Sequence, residues 1–202
     1  MFIQELISRY PKLSQCEESV RSGFGILLAC FRAGGKVLVC GNGGSAADAD
    51  HIVGELLNKF KKKRRIAPDV AARIPKEVAD KLVGALPAIS LVAMSATLSS
   101  ISNDSEWDVA FAQQVCGLGR RGDVLIAIST SGNSRNVLSA TVVARALGIK
   151  VIGLTGESGG ELAKVADVAI RVPETETYKI QELHLPVYHC LCLMLENRFF
   201  GA

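Results

Sequence analysis

The chain has 202 residues, a formal net charge of +3 and 49% apolar residues, with a mean hydropathy of +0.27. That length fits one domain with a sizeable core. The charge is too small to imply a nucleic-acid partner, and no run of about 18 uncharged apolar residues is present to span a membrane. The nearest approach, Phe24 to Cys40, is broken by Arg32, Gly34, Gly35 and Lys36. The high hydropathy therefore reads as surface buried between subunits. Glu5 stands early and no basic segment leads into an apolar one, so no signal peptide and a cytoplasmic location are expected. The six cysteines form no CxxC pair. Cys30, Cys40, Cys190 and Cys192 lie in apolar runs, where a free thiol packs as a small hydrophobe, and reduced thiols suit that location.

In chain order, Phe2, Ile3, Leu6 and Ile7 recur at helical spacing and Pro11 ends their run. A second helix is predicted over about 14–31, closed by Gly34 and Gly35. Short runs rich in Val, Ile, Leu and Ala follow at 36–40, 88–93, 124–128, 150–154 and 168–172. They lack clean alternation, as strands buried on both faces do. Helices are predicted between them at about 45–58, 106–117, 134–147 and 160–166, and a last one at 178–199. Strand and helix in alternation predict an α/β fold with a parallel sheet and right-handed crossovers. The exception is 59–87, where Lys59 to Arg65 hold six basic residues in seven and Pro68, Pro75 and Pro87 follow. It reads as a solvated basic excursion with one short helix near 76–83, or as a positive rim that attracts an anionic substrate.

Two polar loops stand between a strand and a helix. Gly41-Asn42-Gly43-Gly44-Ser45 follows the first strand, and Ser129-Thr130-Ser131-Gly132-Asn133-Ser134 follows the third. Both sit where open α/β sheets bind ligands, ahead of helix amides that favour anions. A helix cap needs one hydroxyl, so the surplus in the second loop favours a phosphate. No lysine of the nucleotide-binding P-loop follows it. His51 and Glu55 are four apart on one predicted helix and share a face. The pair can ligate a divalent metal, act in proton transfer, or form a plain surface ion pair. On the last helix Gln181 and His189 are eight apart and point to similar sides, with His184 rotated away and read as a packed histidine. Pro186 in that helix frees the Glu182 carbonyl and should bend it. Asn103-Asp104 either caps the helix beginning near Glu106 or faces a ligand at the sheet edge.

Five segments together resemble the sugar isomerase (SIS) domain family and, within it, the phosphoheptose isomerases. They are Gly41 to His51, Ser102 to Asp104, Ala127 to Ser134, Gly153 to Gly156, and Ile180 to His184. The resemblance runs from about Gly34 to Phe200 and lapses over the 59–87 excursion. It implies a three-layer sandwich with a five-stranded parallel sheet flanked by helices, with N-terminal helices at 1–33 packing on a SIS domain at 34–202. It also implies a homotetramer with active sites between subunits, acting on sedoheptulose 7-phosphate through an enediol. Asn42, Gly43, Gly44, Asn103 and Asp104 would contact the sugar, with Glu55 and Gln181 also at the substrate. Ser129, Thr130, Ser131 and Ser134 would hold its phosphate. His51, Glu55, Gln181 and His189 would form a Zn2+ site, and Glu55 with His189 the proton-transfer pair. The family often has arginine where Lys59 stands, and lysine lacks the bidentate fork. A non-catalytic group that associates with the bacterial replication initiator is similar over the C-terminal half, including Asn133-Ser134-Arg135 and Cys190-Leu191-Cys192. That group lacks the residues matching Glu55 and His189, so their presence here favours the enzyme.

Overall fold

The computed structural model describes residues 1–201. Helix α1 (Phe2–Arg9) ends ahead of Pro11, a 3-10 turn covers Pro11–Cys16, and α2 (Glu17–Arg32) follows. Strand β1 (Val37–Cys40) leads through the glycine loop into α3 (Gly44–Leu57). Two single-turn helices, α4 (Pro68–Ala71) and α5 (Lys76–Ala79), lie in the basic excursion. After β2 (Ala88–Ser90) come α6 (Ser95–Asp104), α7 (Ala110–Leu118), β3 (Val124–Ile128) and α8 (Arg135–Ala146). The chain then forms β4 (Lys150–Thr155), α9 (Gly160–Val165), β5 (Val168–Arg171) and the long α10 (Thr177–Phe200).

All five strands are parallel, in the order β2-β1-β3-β4-β5, as the alternating pattern predicts. Successive strand residues point to opposite sides. Val37, Val39, Val124, Ile126 and Ile128 join a core under α1, α2, α3 and α10. Leu38, Cys40, Leu125 and Ala127 join a second core under α7, α8 and α9. Burial on both faces is the reason these strands read as continuous apolar runs. All six cysteines are free, and burial pushes the Cys40 and Cys192 thiols up to about 12, which makes them inert packing groups. Among the described residues no helix is long and apolar enough to cross a membrane.

Three segments differ from the sequence expectation. β2 stops at Ser90 rather than near 93, because the Gln114 side-chain amide takes the Leu91 carbonyl at 2.9 Å and ends the ladder. The predicted helix at 106–117 is a 3-10 turn, Trp107–Val109, running into α7. The excursion is not wholly solvated: Arg64 is 2% exposed and its Nε donates to Glu196 Oε1 at 2.8 Å. Lys59, Lys61, Lys63 and Arg65 do remain exposed. α10 runs unbroken through Pro186.

His184, fully buried on α10, is the packed histidine expected, with Nε2 3.2 Å from the Thr155 carbonyl. Burial, only partly offset by that hydrogen bond, lowers its pKa to about 4. The unfolded chain takes up this proton near the ordinary value of 6.5 and the folded chain does not. The sign is therefore a loss of stability as pH falls from 6.5 towards 4, on the order of 3 kcal/mol in all. Urea unfolding at a series of pH values is expected to show this slope, shallower by about one proton in His184→Gln.

Candidate active site

α3 and α10 lie side by side and run in the same direction, which brings side chains two turns apart on each helix into one groove. At its upstream end Gly44 lies so close to α10 that a Cβ there would stand 2.6 Å from the Gln181 amide nitrogen. Gly43, the residue before α3, has φ +55°, a conformation that side chains rarely adopt. The two glycines let the chain leave β1, turn, and start a helix against Gln181.

Further along the groove His51 Nε2 stands 3.2 Å from Glu55 Oε1 and 3.3 Å from His189 Nε2. The three residues each offer a ligand atom, all within 4.8 Å of one another. The nitrogen–nitrogen spacing matches the roughly 3.3 Å edge of a tetrahedron with metal–nitrogen bonds of about 2.0–2.1 Å. Two imidazoles and a carboxylate are also the donor set of catalytic zinc sites, though it suits other divalent ions. These residues therefore fit a metal. Burial, and then the neighbouring His51, hold His189 below the ordinary histidine range, which keeps its ring neutral and able to ligate or accept a proton. Gln181 stands at the glycine-loop end of the groove. Gly44 and His51 are about 10 Å apart along the helix axis, and no hydrogen bond among the described residues joins Gln181 to the cluster.

The second loop is built for small donors. Ser134 precedes α8 without a side-chain capping bond. Its hydroxyl lies 3.0 Å from that of Ser129, and the Asn133 N–H reaches the Ser131 hydroxyl at 3.2 Å. Thr130, Ser131 and Asn133 line a cavity of about 290 Å3 that ends at Ile180, next to Gln181. Gly132, at φ +69°, packs on the Gly159 carbonyl and leaves no room for a side chain. The two loops are tied together: the amides of Asn42 and Asn136 exchange hydrogen bonds at 2.9 and 2.8 Å. Asn42 is thus held by a second amide. Asn103 and Asp104 end α6, exposed and bonded to each other at 2.8 Å, so they do not cap the turn that follows.

The sequence reading missed several supporting residues. Asn136 sits two positions past the hydroxyl cluster, in the first turn of α8. Tyr188 Oη lies 3.0 Å from His51 Nδ1 and 3.2 Å from Asp48 Oδ1. Burial first, then the Asp48 charge, raise the Tyr188 pKa, and burial raises that of Asp48. Arg64 Nη2 donates to the Glu55 carbonyl at 2.8 Å and Nη1 to Leu56 at 2.9 Å, which caps the last turn of α3. Its partner Glu196 also accepts from the N–H groups of Phe60, Lys61 and Lys62 at 2.9, 2.9 and 3.1 Å. Burial would push the Glu196 carboxyl up, but the Phe60 and Lys61 N–H groups and Arg64 together hold it below the ordinary range. Nothing in the basic run singled out Arg64.

Arg64→Met leaves Glu196 buried without its counterion and frees the end of α3. Loss of about 3–5 kcal/mol of stability is expected. The exposed neighbour Lys63→Met should stay within about 0.5 kcal/mol of the parent in the same denaturant titration.

The SIS domain family matches residues 2–156. A protein of Rhodospirillum rubrum called phosphoheptose isomerase is 43% identical over 196 residues, covering 97% of this chain and 94% of that protein. The solved structure of a phosphoheptose isomerase from Francisella tularensis superposes with a TM-score of 0.77 at 34% identity, over 98% of this chain and 99% of that one. The phosphoheptose isomerase of Neisseria gonorrhoeae gives 0.74 at 32% identity, over 96% and 99%.

Proposed function

The chain belongs to the SIS domain family, and from that premise we propose that it is a phosphoheptose isomerase, converting sedoheptulose 7-phosphate to D-glycero-D-manno-heptose 7-phosphate. The observation that carries the reading is the convergence of His51, Glu55 and His189 in one groove, at the carboxyl edge of the sheet and beside a loop rich in hydroxyls. A protein that only binds has no need of that convergence.

The reaction moves a proton from C1 to C2 and the carbonyl from C2 to C1 through an enediol. Ser129, Thr130, Ser131 and Ser134 hold the phosphate, so binding energy at the remote end positions the reacting end. Asn42, Gly43 and Gly44 line the sugar, and Gln181 faces it from α10. The Glu55 carboxylate accepts the C1 proton. Its backbone is held by Arg64, so the base stays aimed at the carbon. His189, neutral, exchanges protons with the substrate oxygens as the carbonyl moves. His51, Glu55 and His189 would hold a divalent ion, zinc by preference, with Gln181 a fourth donor only if its side chain swings along the groove from Gly44, and such an ion would supply Lewis-acid polarisation of the carbonyl.

The assembly is a cytoplasmic homotetramer in which Asn103 and Asp104 reach the sugar at a subunit boundary. Support comes from α6, which buries no residue within the chain, and from the exposed Leu57, Trp107, Val142 and Leu185. The helices of 1–33 add to this interface, and 34–202 forms the catalytic domain.

The test is turnover of sedoheptulose 7-phosphate by purified protein, following the aldose, with and without chelator. Turnover that falls with chelation and returns with zinc is expected. Folded, metal-replete protein with no turnover would sink the assignment and turn attention to a binding role. Glu55→Gln is expected to lower kcat by about 100-fold or more with melting temperature retained. Unchanged kcat would remove Glu55 from the chemistry.

A further inference from the structure

His51 has two ring nitrogens with different neighbours. Nε2 faces Glu55 and His189, while Nδ1 faces only the phenol of Tyr188 at 3.0 Å. That phenol, on a side chain 2% exposed, also stands 3.2 Å from Asp48 Oδ1. Asp48 is one turn before His51 on α3, and Tyr188 enters between them from α10. The His51 and Tyr188 rings meet edge to face, with centroids 5.4 Å apart and planes at 71°.

Proton counting decides how this chain of bonds is arranged. A carboxylate only accepts, and a phenol has one proton to give. The Tyr188 proton therefore goes to Asp48, and the phenol oxygen is left as an acceptor. Nδ1 of His51 must then carry the hydrogen, and in the neutral ring that a metal ligand requires, Nε2 keeps its lone pair. A second observation concerns Asp48 itself: its Oδ2 is buried and has no hydrogen-bond partner among the described residues. Such an oxygen is destabilising, so packing alone does not account for a carboxylate at this position.

We propose that Asp48 and Tyr188 are positioning residues that lock His51 in its Nδ1–H tautomer and aim the Nε2 lone pair at Glu55 and His189. The inference deepens the active-site reading above and rests on it for the use made of that lone pair. Metal-ligating histidines are commonly held this way by an acceptor on the far nitrogen. Here the acceptor is a phenol, itself fixed by a carboxylate from one turn earlier on the helix that carries the histidine.

The chain has only three histidines, so long-range proton–nitrogen spectra of metal-free, 15N-histidine-labelled protein can report each tautomer, with His51 assigned from a His51→Gln variant. The wild type is expected to show His51 protonated at Nδ1. Tyr188→Phe, which keeps the packed ring, and Asp48→Ala, which removes the acceptor, should each shift it towards the Nε2–H form. Zinc affinity, read by competition with a chromophoric chelator, should fall by on the order of 10–100-fold in both variants, and circular dichroism checks that each is folded. His51 protonated at Nε2 in the wild type overturns the proposal, as does a tautomer unchanged in both folded variants, even if zinc still binds. A wild type that binds no zinc yet shows the tautomer shift upholds the positioning role and removes the metal reading instead.

Discussion

The parallel packing of α3 against α10 is the constraint on which the rest depends. One helix carries Asp48, His51 and Glu55, the other Gln181, Tyr188 and His189. Neither helix alone makes a site. The pair is fixed at both ends by different physics. At the upstream end the absence of a side chain at Gly44 lets the α10 amide of Gln181 approach the backbone. At the downstream end Arg64 joins the last carbonyls of α3 to Glu196 of α10. Between these anchors a shift of one helix by a single residue would move it about 1.5 Å and turn it by roughly 100°, and would part the two histidines.

The loops add a second fixed distance. Asn42 and Asn136 exchange hydrogen bonds, so the turn after β1 cannot move independently of the turn after β3. β1 and β3 are themselves neighbours in register. The hydroxyl cluster after β3 and the groove between α3 and α10 are therefore parts of one frame. That rigidity suits a reaction in which a seven-carbon chain is held at one end and altered at the other.

Much of this was legible in the residues, for identifiable reasons. Parallel strands buried on both faces leave apolar runs, so β1, β3 and β4 were readable within a residue or so of their ends. The loops announced themselves by composition, and His51 with Glu55 by spacing on one helix. The convergence of His189 on His51 came from the family resemblance and not from spacing, because it depends on the lateral placement of two helices whose histidines are 138 positions apart in the chain. Tyr188 and Asp48 were hidden in the same way: each looks like ordinary helix content until the other is beside it. β2 was overextended because its end is set by the side chain of Gln114, which no local pattern marks. The basic excursion misled most, since a run of lysines and arginines on average marks a solvated face and one member of this run is buried.

That one member must be Arg64, and the reason lies in geometry. Its guanidinium donates at once to Glu196 Oε1, the Leu56 carbonyl and the Glu55 carbonyl, three acceptors on two helices. A lysine is a compact point charge without a planar fork and could not reach all three with fixed directions. Lys61, Lys62 and Lys63 are therefore excluded from the slot by chemistry, and Arg65 by its place one residue further along the chain. A buried ion pair adds little net stability over an apolar pair of similar volume, because both charges must leave water. What it does here is choose the register of an otherwise repetitive basic segment. The Phe60, Lys61 and Lys62 N–H groups close on the same Glu196 carboxylate that Arg64 pairs with, and that register holds the end of α3, and Glu55 with it, against α10.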